Sequence, residues 1–317
     1  MEIVWLLVSL VILYFGAEGL VSGASSLAKR LGVSPLIIGL TIVSIGTSMP
    51  ELVVSIKAAM VGQSALSIGN VLGSNMFNVG LILGLSAIIY PISVKRQLLK
   101  FDVPFMVITS VLFLLLFLDS NISRIEAGLL IVLFISYISY LYISSTKGQS
   151  KKQDQQDQKN QNTEDVKISK HWSIDLLFIV VGLLALVYGS DLLVVNSIII
   201  AERLGMSEAM IGLTIVAAGT SMPELATSVV AAIKKRSDIA IGNVVGSNIF
   251  NILLILGVAG LIHPISTPEI NYMDSLFVVA LGLLLWLFMK LGTRIRRWQG
   301  AAFILIYVLY FFTKLLI

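Results

Sequence analysis

The sequence predicts an all-α membrane protein of ten transmembrane helices, arranged as two five-helix repeats of opposite orientation. Three observations carry that prediction: sustained apolar character, one isolated polar linker, and a set of motifs that returns at a constant offset. Of 317 residues, 57% are hydrophobic and 13% are charged, and the mean hydropathy of +0.95 lies far above that of a soluble globular chain.

Apolar runs fall at roughly 3–21, 35–60, 65–90, 103–118, 125–143, 174–197, 208–233, 239–262, 275–289 and 298–316, each measured against the ~20 residues that cross a bilayer. The first run follows Glu2 rather than a basic segment and precedes no small-residue cleavage pattern, so it is expected to remain as a helix. The fourth and ninth runs are short, and are expected to extend into their polar flanks. Between the fifth and sixth lies 144–173, rich in Gln, Lys, Asp and Asn without an apolar period. Such a segment buries too little surface to offset chain entropy and reads as a disordered cytoplasmic linker. It divides the chain into a first repeat, 1–143, and a second, 174–317.

The alternate connections that include this linker hold 18 of the 22 basic residues, leaving Lys57, Arg124, Arg203 and Lys314 for the other face. Positive residues stay inside, so the linker is cytoplasmic and both termini face outward in the cell (inner) membrane. The net charge of +4 is accounted for by this asymmetry and calls for no nucleic-acid partner; the partner is the lipid bilayer. Cysteine is absent, which excludes disulfides, thiolate metal sites and cysteine nucleophiles.

The halves are copies. "IGLTIVSIGTSMPELVVS" from Ile38 aligns with "IGLTIVAAGTSMPELATS" from Ile211, and "IGNVLGSNMFNVGLILG" from Ile68 with "IGNVVGSNIFNILLILG" from Ile241, at a constant offset of 173. Five helices per copy is odd, so the second copy enters from the opposite face and the centres of the two copies meet.

Within each copy a proline sits in an apolar span. Pro50 and Pro223 lack an amide hydrogen and clash with the carbonyls of Gly46 and Gly219, so the helix bends or opens there. The freed carbonyls are expected to serve as oxygen ligands for a cation, since irregular backbone at membrane depth lines polar cavities. Thr47, Glu51 and Ser55 share a face with Ser48, as do Thr220, Glu224 and Ser228 with Ser221. Asn70, Ser74 and Asn78 form a second polar stripe, echoed by Asn243, Ser247 and Asn251. Gly69, Gly73, Gly80 and Gly84, with Gly242, Gly246 and Gly257, are expected to allow close helix approach. Every candidate ligand is oxygen, which suits a hard cation such as Ca²⁺ or Na⁺ and disfavours zinc or copper. An unpaired ionised Glu at bilayer depth costs ~2.5 kcal/mol or more, so Glu51 and Glu224 are expected to be functional.

Three further sets are read as structural. Asn70, Asn75, Asn243 and Asn248 are expected to pack helices; Glu18 and Asp191, a matched pair, to reach solvent or a cap; His171 and His263 to lie in connections.

The paired "GTSMPEL" and "GNV(L/V)GSN(M/I)FN" motifs resemble the alpha repeats of the calcium/cation antiporter superfamily, most closely its prokaryotic sodium/calcium exchangers, over the whole chain except the linker. The resemblance implies the sodium/calcium exchanger fold, with transported Ca²⁺ and Na⁺ and no cofactor. It implies Glu51 and Glu224 as central ligands, with Thr47, Ser48, Ser74 and Asn78 from one repeat and Thr220, Ser221, Ser247 and Asn251 from the other. Backbone carbonyls near Ser44 and Ala217 join them, and the first and sixth helices slide against the remaining bundle. Well-studied members often carry Asp where this chain has Asn251, so the site here loses a titratable group. The function expected is a non-enzymatic secondary antiporter exchanging Na⁺ for Ca²⁺. An H⁺/Ca²⁺ antiporter using the same two glutamates is the alternative. A cation channel fits less well, because a midplane site between opposed bundles serves alternating exposure. A hydrolase using Ser48 or Ser221 would need a His or Lys partner in the spans, and none is evident.

Overall fold

In a computed structural model, which describes residues 2–146, 171–205, 217–267 and 272–316, the chain is helical throughout apart from four two-residue strands. The first half runs α1 (Glu2–Leu31), α2 (Pro35–Thr47), α3 (Met49–Met60), α4 (Ser64–Ile89), β1 (Ile92–Ser93), α5 (Leu98–Leu116), β2 (Asn121–Ile122) and α6 (Arg124–Thr146). The second half runs α7 (Trp172–Arg203), α8 (Ala217–Thr220), α9 (Met222–Ile233), α10 (Ser237–Ile262), β3 (Ile265–Ser266), α11 (Tyr272–Lys290), β4 (Arg294–Ile295) and α12 (Arg297–Leu316). Among the described residues seven helices are long and apolar enough to cross a membrane, and α2 with α3, bent by 46°, would make an eighth. Most of the expected linker, at 147–170, and the start of the expected span 208–233 lie outside the described residues.

Several boundaries differ from the apolar runs. The first helix continues past 21 to Leu31, because the small residues Gly23, Ala24, Ser25, Ser26 and Ala28 are buried although they are not strongly apolar. The run at 103–118 begins five residues early, through a π-helical turn at Leu98–Asp102 that tucks Leu98 and Asp102 inside.

Local chemistry sets the break points. Ser34 caps α2 by accepting Leu36 N–H at 3.3 Å, and Pro35 stands in the first turn, where its missing donor costs nothing. Pro50 and Pro223 occupy the same kind of position in α3 and α9, so each proline starts a new helix rather than kinking an old one. Ser48 and Ser221 are the breaks themselves, with matching φ of −82° and −90°.

The most enclosed helices are α4 and α10, surrounded by α2, α5, α6, α11 and α12. Close approach is literal where α2 crosses α10: a Cβ on Gly242 would stand 2.9 Å from Leu36 O and 3.0 Å from Gly39 Cα. Positions 209–212, which match Leu36–Gly39 at the 173-residue offset, lie outside the described residues.

Helices α1 and α7 form a separate pair against this bundle. Gly182 sits on α1 so closely that a Cβ there would reach Gly16 O at 2.7 Å, and both ends are tied by ion pairs, Arg203–Glu2 at 2.8 Å and Arg30–Asp175 at 3.0 Å. Glu18 of α1, expected at solvent or a cap, instead accepts from Lys234 Nζ beyond the end of α9 at 2.8 Å, with Ser22 Oγ 3.2 Å from the same nitrogen.

The four strands join the halves to each other. β1 pairs antiparallel with β4, Ile92 opposite Ile295, and β2 with β3, Ile122 opposite Ile265.

Candidate functional site

Both helix breaks lie against the first turn of the glutamate-bearing helix of the opposite copy. Ser48, at the break between α2 and α3, donates its hydroxyl to Glu224 Oε1 of α9 at 2.8 Å. Ser221, at the break between α8 and α9, donates to Glu51 Oε1 of α3 at 2.9 Å. The two bonds exchange under the 173-residue offset, and they draw Glu51 and Glu224, each 1% exposed, into one buried cluster. Ser221 Oγ also lies 3.1 Å from Ser74 Oγ of α4.

The threonines cross in the same manner. Thr47 donates to Asn243 Oδ1 at 3.0 Å, and Thr220 to Asn70 Oδ1 at 3.4 Å. Asn70 Nδ2 then donates to the Glu51 carbonyl at 3.1 Å and to Ser55 Oγ at 3.0 Å; Asn243 Nδ2 donates to the Glu224 carbonyl at 3.4 Å and to Ser228 Oγ at 3.0 Å. Asn70 and Asn243, read from sequence as packing residues, are braces. Each holds the glutamate-bearing helix of its own copy and accepts the hydroxyl hydrogen of a threonine from the other, a hydrogen that Thr47 shares with the Ser44 carbonyl. With that hydrogen committed, the threonine oxygen presents lone pairs only. The sequence signal was present in the Asn–x–x–x–Ser–x–x–x–Asn spacing, but the partner lies far along the chain.

What these bonds leave unsatisfied is chemically uniform. Glu51 Oε2, Glu224 Oε2, Asn78 Oδ1, Asn251 Oδ1 and Ser247 Oγ are buried without a hydrogen-bond partner. Each glutamate therefore uses one oxygen for a cross-copy hydroxyl and keeps the other bare. A buried acceptor without a partner costs about 1–3 kcal/mol, and more when it is charged, so a concentration of them requires an explanation. A hard cation with an oxygen coordination shell supplies one: two carboxylates and several neutral oxygens match its charge and its preference. Among the described residues no three His, Cys, Asp or Glu side chains converge, so the remainder of any shell is neutral. Asn78 and Asn251 each open a π-helical turn, Asn78–Leu83 and Asn251–Ile255, a widening that is frequent at functional sites.

The backbone candidates divide. The Ser44 carbonyl accepts Ser48 N–H at 3.0 Å and Thr47 Oγ at 3.4 Å, so it borders the cluster while closing the last turn of α2. Ala217 begins α8 at the matched position. The Gly219 carbonyl, freed by Pro223 and expected to face a cation, instead accepts Ser190 Oγ of α7 at 2.5 Å. Ala17 occupies the position in α1 matched to Ser190 and has no hydroxyl to offer Gly46.

Comparison with known proteins places this arrangement in a family. The model of the family described as sodium/calcium exchanger protein matches residues 1–143 and 174–316. The putative antiporter CaxA of Alkalimonas amylolytica is 37% identical over 314 residues, covering 97% of this chain and 96% of its own. The sodium/calcium exchanger MaX1 of Methanosarcina acetivorans is 37% identical over 333 residues, covering 96% and 95%. A solved structure of the sodium-calcium exchanger NCX_Mj, soaked with Na⁺ and Sr²⁺, superposes with a TM-score of 0.84 at 33% identity, covering 97% of this chain and 96% of that one. With matched motifs, matched architecture and near-complete coverage in agreement, the chain belongs to the sodium/calcium exchanger protein family.

Proposed function

We propose that this protein is a secondary antiporter that moves Ca²⁺ outward across the cell membrane in exchange for Na⁺, with Glu51 and Glu224 as its central cation ligands. Ten helices, five from 1–143 and five from 174–317, form two inverted repeats around one site, and the linker 144–173 is cytoplasmic with both termini outside. The observation that carries this reading is the crossed pair Ser48–Glu224 and Ser221–Glu51, which gathers two carboxylates and leaves one bare oxygen on each.

Asn78, Asn251, Ser74, Ser247, Thr47, Thr220, Ser48, Ser221 and the carbonyls of Ser44 and Ala217 complete the ligand set. One divalent ion balances two carboxylates, and so do two monovalent ions, which is the charge condition for exchange at a shared site. Access alternates as the α1–α7 pair moves along the bundle. That pair is held internally by close glycine contacts and an ion pair at each end, so it moves as a unit.

Two protons would balance the same two glutamates as two Na⁺ do, which makes proton exchange the alternative, and Asn at both 78 and 251 leaves the cluster no further carboxylate to titrate. Flux in proteoliposomes separates the two. Calcium uptake driven by a sodium gradient at clamped pH is the expected result. Uptake driven by a pH jump and indifferent to sodium would establish proton exchange instead.

A further inference from the structure

Beside the carboxylate pair runs a chain of three buried asparagines whose bonds differ between the copies. Asn251 of α10 donates its Nδ2 to Asn75 Oδ1 of α4 at 3.0 Å, which leaves Asn251 Oδ1 as one of the unpartnered buried acceptors. Asn75 in turn donates its own Nδ2 to the Asn248 backbone carbonyl at 3.3 Å. That second bond locks the direction of the first. Turning the Asn75 amide over would set its oxygen against the Asn248 carbonyl and its NH₂ against the Asn251 NH₂, two repulsive contacts in a buried place. The matched residue Asn248 does nothing comparable, since its Nδ2 turns back to Val244 O of its own helix at 2.7 Å.

We infer that Asn75 is a positioning residue for cation binding: by accepting the Asn251 amide hydrogen it aims Asn251 Oδ1 at the cation and fixes an amide, rather than a carboxylate, as the group that fits position 251. A carboxylate there would place an oxygen against Asn75 Oδ1, lone pair to lone pair. Asn75 acts through Asn251 and touches no ion itself. The inference rests on the antiport reading above, and it makes the two asparagine ligands unequal, with Asn251 held and Asn78 not held by its counterpart.

The experiment is a double-mutant cycle read by the calcium concentration that half-saturates exchange in proteoliposomes, with wild type in the same preparation. Asn75→Leu keeps the volume and removes the acceptor, and is expected to raise that concentration about tenfold, the effect of one buried hydrogen bond. In an Asn251→Ala background the same substitution should have no further effect, whereas in an Asn78→Ala background its full effect should remain. Asn248→Leu, which loses a bond within one helix, should change the value less than about twofold, below the cost of a lost ligand contact. Should Asn75→Leu fail to insert, Asn75→Ser gives the same comparison. Equal effects in the two alanine backgrounds, or none in wild type, would overturn the positioning role. A wild-type protein that moves no calcium would instead overturn the antiport reading.

Discussion

The two copies agree at the centre of the site and diverge at its rim. At the centre, Ser48 and Ser221 reach opposite glutamates at 2.8 and 2.9 Å, and Asn70 and Asn243 repeat the same three contacts. One shell outward, Asn75 crosses to Asn251 while Asn248 stays within its helix, and Ser190 binds the Gly219 carbonyl where Ala17 cannot bind Gly46. Further out, Glu18 is paired with Lys234, whereas the matched Asp191 is exposed and position 61, matched to Lys234, is valine. The difference teaches a division of labour. A site that must serve both faces of a membrane needs equivalent contacts to its ion, and a bias between those faces can reside only in groups that break the equivalence.

The largest expected effect tests the centre. Glu51→Gln and Glu224→Gln should each reduce exchange more than a hundredfold while both proteins still insert, because either change removes half the charge that balances a divalent ion. Measured in the same vesicles, near-normal flux in one variant alone would show that the copies are not equivalent even there.

Next come the braces. Asn70→Ala and Asn243→Ala each remove three hydrogen bonds at roughly 1 kcal/mol apiece, and should raise the half-saturating calcium concentration by ten- to a hundredfold. The sharper expectation is that the two variants agree within about threefold, because their bonds are counterparts, given a context scatter of that size in such energies. A wide gap would move the boundary of equivalence inward.

The smallest effect belongs to the rim. The Lys234–Glu18 pair is about a third exposed and spans the α1–α7 unit and the bundle. Such a pair contributes about 0–1 kcal/mol, so Lys234→Met should change the ratio of half-saturating calcium on the two faces by about fivefold at most. In wild type, raising the ionic strength should shift that ratio in the same direction, since screening weakens the same pair. A ratio indifferent to both would remove the pair from any role in facing.

The legible part of this molecule was what repeats or alternates along the chain. Seven of the apolar runs coincide with helices long and apolar enough to span, and the doubled GTSMPEL and GSN motifs named residues that the fold gathers into one buried cluster, because a proline in a helix and a carboxylate in a membrane have few bland explanations. What stayed hidden was partnership. Nothing local distinguishes Asn70 as a brace from an asparagine that merely packs, since its partner Thr220 stands 150 positions away. The Gly219 carbonyl was rightly seen as freed by Pro223, yet the hydroxyl that takes it comes from α7, whose path across the break follows from helix crossing and not from its own pattern. Helix ends were misplaced for a related reason: Gly23 is buried against α7, and Ala24 and Ala28 in a cluster that draws on α2, α7, α9 and α10, so tertiary contact and not strong apolar character encloses them.

The strand pairs have a mechanical consequence. β1 with β4 and β2 with β3 fasten loops of one half to loops of the other at opposite ends of α5, through main-chain bonds that do not depend on side-chain identity. Any shear of one half of the inner bundle past the other would have to break these two backbone seams. Among the described residues neither strand pair includes α1 or α7, so the travel proposed for that pair would break no main-chain seam, as a drawer leaves its cabinet whole.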